Sequence, residues 1–113
     1  SSQITPFWSY ILEKERDDTV IRSVLSAIQR CAYDEDGSIM DAIGKKLIEE
    51  RASSENMMFY YCDTVVELCA FMGRPALMRR GKEILVSLLG SKYSSSVQEY
   101  ARKSLEKIIN LEI

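Results

Sequence analysis

Histidine is absent from this chain, and that absence narrows what its other side chains can do. The commonest general base and the commonest zinc ligand are both missing. Cys31, Cys62 and Cys69 therefore have no imidazole to activate a thiol, and their spacing is not that of metal ligands. All three fall inside helical apolar patterns, which reads as reduced core thiols and a cytoplasmic or nuclear setting. Asp34, Glu35 and Asp36 sit in a turn without partner groups, and Glu49-Glu50 read as helix surface. Gly81-Lys82 is not preceded by a glycine-rich phosphate loop. The expectation is a protein that is not an enzyme and holds no metal or cofactor.

The chemistry that remains is recognition. Phe7, Trp8 and Tyr10 cluster near the start, and two roles are open to them: packing of the first helix, or an exposed docking face. Arg74, Arg79, Arg80 and Lys82, beside Gly73 and Pro75, form a local basic patch able to touch phosphate. No aromatics are interleaved with it, and the net charge of −2 gives no global pull toward nucleic acid. A solvated loop is the plainer reading of that patch.

These side chains need elements to position them. At 113 residues the chain is long enough for one domain with its own core, spanning 1–113. A composition of 46% hydrophobic and 28% charged residues argues against disorder. No apolar run approaches the roughly 18–20 residues that span a bilayer, and no signal peptide is visible. The opening Ser-Ser, without methionine, suggests a fragment of a longer protein.

Thr5-Pro6 is a helix start, followed by Phe7, Tyr10 and Ile11, with Trp8 beside them, before the charged run Glu13 to Asp18. A second helix is expected from about Thr19 to Tyr33, with Val20, Val24, Ala27, Ile28 and Cys31 on one stripe. After the turn Asp34 to Gly37, Ser38 and Asp41 fit a capping box that opens a third helix to about Arg51. Ser53-Ser54-Glu55 begins a fourth, which Gly73-Arg74-Pro75 ends. A short helical turn from Ala76 to Arg80 leads to Gly81, a separate helix runs from Lys82 to Leu89, and Gly90 ends it. Ser96 and Glu99 make another capping box, opening the last helix to about Asn110. No segment alternates with period two, so no sheet is expected.

Three of these helical stretches superpose: Val20 to Ala32, Met58 to Ala70 and Val97 to Ile109. Their starts lie 38 and 39 residues apart, and periods near this length mark helical repeat arrays. The segment from Ala76 to Ile109, with its short helix, Gly81, "ILVSLL" helix, polar loop and "VQEYA" helix, resembles an armadillo repeat. Ser38 to Ala70 is similar to a weaker copy, Gly44 standing to Leu47-Ile48 as Gly81 stands to Ile84-Leu85. Related HEAT repeats share the same stacking physics, and an unrelated bundle of six or so helices is the alternative to a repeat array.

The resemblance implies an all-α, short right-handed α-solenoid of about two and a half repeats that works as a protein–protein interaction scaffold. In such proteins the third helices line a groove that binds peptides. Carried over, that face takes Arg22, Ser26 and Arg30 from one helix, Tyr60, Tyr61 and Thr64 from the next, and Lys103 and Lys107 from the last. Nuclear-import adaptors of the family carry tryptophan and asparagine at fixed points of each third helix. Here the tryptophan points fall on Ser26, Thr64 and Lys103, and the asparagine points on Arg30, Leu68 and Lys107. The pattern is broken, which argues against a basic nuclear signal as ligand. Cations flanking tyrosines suit an acidic or aromatic-containing segment of another protein; the plainer alternative has Tyr60 or Tyr61 as packing between repeats with a satisfied hydroxyl, and the lysines as solvated surface. The alternatives are a helical repeat associated with nucleic acid, through Arg74 to Lys82, or with membrane-trafficking cargo.

Overall fold

The structure, a computed structural model, describes residues 4–31, 34–50, 52 and 54–112. Among the described residues six α-helices follow one another: α1 (Ile4–Lys14), α2 (Asp18–Cys31), α3 (Ser38–Gly44), α4 (Glu55–Met72), α5 (Pro75–Ser87) and α6 (Ser95–Leu111). A π-helical segment, Lys45–Glu49, extends α3, and there is no strand among the described residues. The Thr5 side chain and the helix ends expected at Tyr33, Arg51 and Ser53 lie outside the described part.

The starts of α2 to α6 have identifiable causes. Asp17 caps α2, its Oδ1 accepting from the Thr19 and Val20 N–H groups at 2.8 and 3.4 Å. Ser54 and Ser94 do the same for α4 and α6, accepting from Met57 N and Val97 N at 3.2 Å each. The expected box at Ser96 and Glu99 is therefore displaced: Ser94 is the cap, and Glu99 is drawn to Arg102 instead. At α3 the expected box is replaced outright. Gly37 holds the N-cap position at φ 83°, and the buried Asp34 carboxylate accepts from Ile39 N and Met40 N at 3.1 and 2.8 Å. Asp41 turns away to Arg80. Gly73, at φ 61°, ends α4 with its N–H on Cys69 O, and Pro75 opens α5.

Helix α5 is continuous where the sequence suggested a break at Gly81. Gly81 is buried, and a Cβ there would lie 2.7 Å from Cys69 Sγ and 3.2 Å from Val65 Cγ1. This glycine lets α5 cross α4 closely; it does not end a helix.

The helices pack as two rows. α2, α4 and α6 lie side by side in that order, and α1, α3 and α5 form the other row, each joined to the helix that follows it. The body measures 37 × 35 × 20 Å, and the short dimension matches two helix layers about 10 Å apart. Between the rows lie Leu12, Leu25, Ile28, Ile39, Met40, Ile43, Leu47, Val65, Leu68, Ile84, Leu85 and Leu88, all fully buried. Helix α1 turns Ser9 and Leu12 inward, not the expected Phe7–Tyr10 side, and Ser9 Oγ meets Ser38 Oγ at 2.7 Å. Helix α2 buries Ile21, Leu25 and Ile28, so its stripe is rotated from the expected one and leaves Val20 and Cys31 exposed. Cys31 is thus a surface thiol, while Cys62 and Cys69 are in the core as expected.

Candidate functional site

Because α2 turns Ile21, Leu25 and Ile28 inward, helical geometry sends Thr19, Arg22, Ser23, Ser26 and Arg30 to its outer side. Their spacing of i, i+3, i+4, i+7 and i+11 is that of one helix face. Beside them, α4 contributes Tyr60, half-buried. These six residues line one surface groove of about 390 Å³, and no carboxylate is among them.

Tyr60 is fixed by α2. Arg22 Nη2 donates to the Tyr60 hydroxyl at 2.9 Å, and the guanidinium carbon lies 4.7 Å from the ring centroid. The backbone carbonyl of Tyr60 accepts from Thr64 Oγ1 at 2.8 Å. Thr64 Oγ1 in turn accepts from Gln29 Nε2 at 2.9 Å. Arg22 and Arg30 make no ion pair with a described carboxylate. The groove thus offers two guanidinium groups and a row of hydroxyls to a ligand rich in acceptors.

Of the eight residues expected on this face, Arg22, Ser26, Arg30 and Tyr60 meet in the groove. Thr64 does not face a ligand: it is fully buried, with its hydroxyl engaged twice. Tyr61 is 2% exposed and turns the other way, into a separate cavity of about 110 Å³ lined by Asp18, Lys46, Glu50 and Met57 among others. Burial, with the Asp18 and Glu50 carboxylates nearby, pushes its hydroxyl up to about 12. One residue's difference along α4 turns a side chain by about 100°, which separates Tyr60 from Tyr61. Lys103 and Lys107 are exposed on α6, with α4 between them and α2, and Lys103 lies 4.0 Å from Glu99. Thr19 and Ser23 were not anticipated, although the spacing of α2's polar residues carries both.

The other recognition features divide. Phe7 and Tyr10 are 60% and 62% exposed one turn apart, but Trp8 packs against the core. In the basic patch, Arg74 donates to the carbonyls of Asp34 and Glu35 at 3.0 and 2.8 Å. Arg80 pairs with Asp41 and Glu83, and Lys82 with Glu112 at 2.7 Å. Those three cations are committed to the fold's own acceptors. The buried thiols of Cys62 and Cys69 are pushed up to about 12 and about 11, chiefly by burial, which keeps them protonated. Among the described residues no helix is long and apolar enough to cross a membrane. No protein-family model, no curated protein and no solved structure matches this chain.

Proposed function

We propose that this protein is a non-catalytic protein-interaction module that captures an acidic segment of another protein along the outer face of α2. The observation that carries the reading is the groove itself: Arg22, Arg30, three aliphatic hydroxyls and Tyr60, with no carboxylate among the described residues of its lining. An acidic segment satisfies it through charge-assisted hydrogen bonds, and the held Tyr60 ring adds amphipathic contact.

We read the two rows as a short α-solenoid of HEAT or armadillo kind. Support comes from side-chain hydrogen bonds that join residues one repeat apart. Arg22 and Tyr60 are 38 positions apart, Asp41 and Arg80 39, and Asp63 and Tyr100 37. The unbroken α5 favours two-helix, HEAT-like units over three-helix armadillo ones. The buried free thiols Cys62 and Cys69 support a cytoplasmic or nuclear setting. The nucleic-acid alternative has less to stand on, since Arg74, Arg80 and Lys82 are engaged internally.

Peptide arrays of acidic, neutral and basic sequences, probed with wild type and with Arg22→Glu/Arg30→Glu, test the interaction reading. Acidic peptides should be retained by wild type and lost by the double variant. Equal retention by both proteins, or a preference for basic peptides, overturns it.

A further inference from the structure

We infer that the group seated in the Arg22–Arg30 groove is the phosphoryl of a phosphoserine or phosphothreonine in the partner segment, held over Ser26 between the two guanidinium groups. The inference rests on the interaction reading above and narrows its ligand.

The geometry argues from reach and charge. Arg22 and Arg30 are eight positions apart on one helix, about 12 Å along its axis, with Ser26 midway. The Arg22 guanidinium stands on Tyr60 in the wall of the same groove. Arg30, whose side chain leans toward the N-terminus as helical side chains do, has about 6 Å of helix axis to cover to reach Ser26. A carboxylate brings one charge and two oxygens, and a single arginine fork satisfies both. A phosphomonoester brings a charge of about −1.5 to −2 and three acceptor oxygens. It can take both arginines and still accept from a serine or threonine hydroxyl. The groove supplies that donor set: two guanidinium groups, with the hydroxyls of Thr19, Ser23 and Ser26 on the same face.

Preorganisation points the same way. Arg22 is already held by the Tyr60 hydroxyl and ring, so part of its ordering cost precedes binding. Arg30 is exposed and has no carboxylate partner among the described residues, so it is free to close over the ligand. Among the described residues the lining carries one ring, Tyr60, whose hydroxyl edge Arg22 occupies. That leaves no aromatic slot for the long arm of a phosphotyrosine and suits the short arm of phosphoserine or phosphothreonine.

The test uses three degenerate peptide pools, identical except for a central phosphoserine, glutamate or serine, titrated into isotope-labelled full chain by NMR. The phosphoserine pool should bind at least about tenfold tighter than the glutamate pool. The shifts should centre on Thr19 to Arg30 and Tyr60. Arg30→Gln should abolish the preference and Ser26→Ala should weaken it. Lys103→Gln should change nothing. Thermal melts of each variant separate lost binding from lost folding, and the exposed position of Arg30 makes that variant the secure one. Equal binding of the phosphoserine and glutamate pools in the groove overturns the phosphate inference and leaves the interaction reading standing. No binding by any pool overturns both. Phosphoserine shifts that survive Arg30→Gln, or tighter binding to phosphoinositide vesicles or to single-stranded RNA than to the phosphoserine pool, also overturn it.

Discussion

Gly81→Ala sets two opposed effects against each other, and the structure decides between them. In a helix interior, alanine is favoured over glycine by about 1 kcal/mol. Were α5 free at this point, the substitution would stabilise the protein by that amount. The new methyl, however, would lie 2.7 Å from Cys69 Sγ, 3.2 Å from Val65 Cγ1 and 3.6 Å from Met40 Cε. Cys69 has little room to retreat: it is 1% exposed, and its Sγ lies 3.8 Å from Leu77 O. Overpacking of this kind costs about 1–3 kcal/mol, and a contact this short belongs at the upper end. The net expectation is a loss of about 2 kcal/mol, or roughly 8 °C in Tm for a chain of this size.

Urea and thermal unfolding followed by circular dichroism measure it. The sharper readout is a double-mutant cycle with Cys69→Ala. Cys69→Ala alone should destabilise by opening a buried gap, and the methyl that Gly81→Ala introduces should partly refill it. Favourable coupling of at least about 1 kcal/mol is therefore expected. Gly44→Ala is the milder comparison: its methyl would lie 3.1 Å from Arg80 Nη2, which can yield, and 3.1 and 3.2 Å from Cδ1 and Cγ1 of the buried Ile84, which need shift only by a few tenths of an ångström. If Gly81→Ala raises stability and shows no coupling to Cys69, α5 runs through this point as an ordinary helix interior and does not cross α4 closely.

Asp34→Ala should cost about 2 kcal/mol in denaturant unfolding, since the Ile39 and Met40 N–H groups lose their shared acceptor. Burial raises the Asp34 pKa above its ordinary value despite those donors. Its contribution is therefore fully present below the unfolded pKa and declines as pH rises through the folded one. The stability advantage of wild type over Asp34→Ala should shrink from acid toward neutral pH, and a growing advantage would contradict the cause assigned to the shift. In the folded chain an aromatic disulfide reagent should titrate Cys31 rapidly and the thiols of Cys62 and Cys69 only on unfolding; fast reaction of either buried thiol would contradict their placement. Lys103→Glu with Lys107→Glu should leave acidic-peptide affinity unchanged where Arg30→Glu removes most of it, as read by calorimetry.

Several features were legible because their causes are local. Gly73-Arg74-Pro75 ends one helix and starts the next through the backbone preferences of its own residues. On α2 the resemblance placed Arg22, Ser26 and Arg30 on an outer face, while the apolar stripe expected from periodicity was rotated from the buried Ile21, Leu25 and Ile28. Other features escaped because their causes are distant in sequence or ambiguous in pattern. Asp34 caps α3 from five and six residues upstream, displacing the nearer Ser38 and Asp41. On α1, apolar residues surround the helix, so the Phe7, Tyr10 and Ile11 stripe pointed to the wrong inward face; Leu12 and the Ser9–Ser38 contact set it. Gly81 carries the same letter whether it ends a helix or admits a neighbour, and only the packing of Cys69 distinguishes the two.

The position of the groove follows from the order of the helices. Helix α4 lies between α2 and α6 and bonds to both, with Tyr60 and Thr64 taken up by α2 and Asp63 accepting from Tyr100 of α6 at 2.6 Å. A helix held on both sides has few polar groups left to offer. It is also acidic, carrying Glu55, Asp63 and Glu67 with no lysine or arginine. An acidic ligand laid across all three helices, as the resemblance implies, would run over those carboxylates on its way to Lys103 and Lys107. Helix α2 stands at the end of its row, so its Arg22–Ser26–Arg30 line keeps its own donors. The ligand is therefore expected to run along α2 rather than across the row. Glu67→Lys distinguishes the two courses. It should strengthen a ligand that crosses α4 and leave one that follows α2 unaltered.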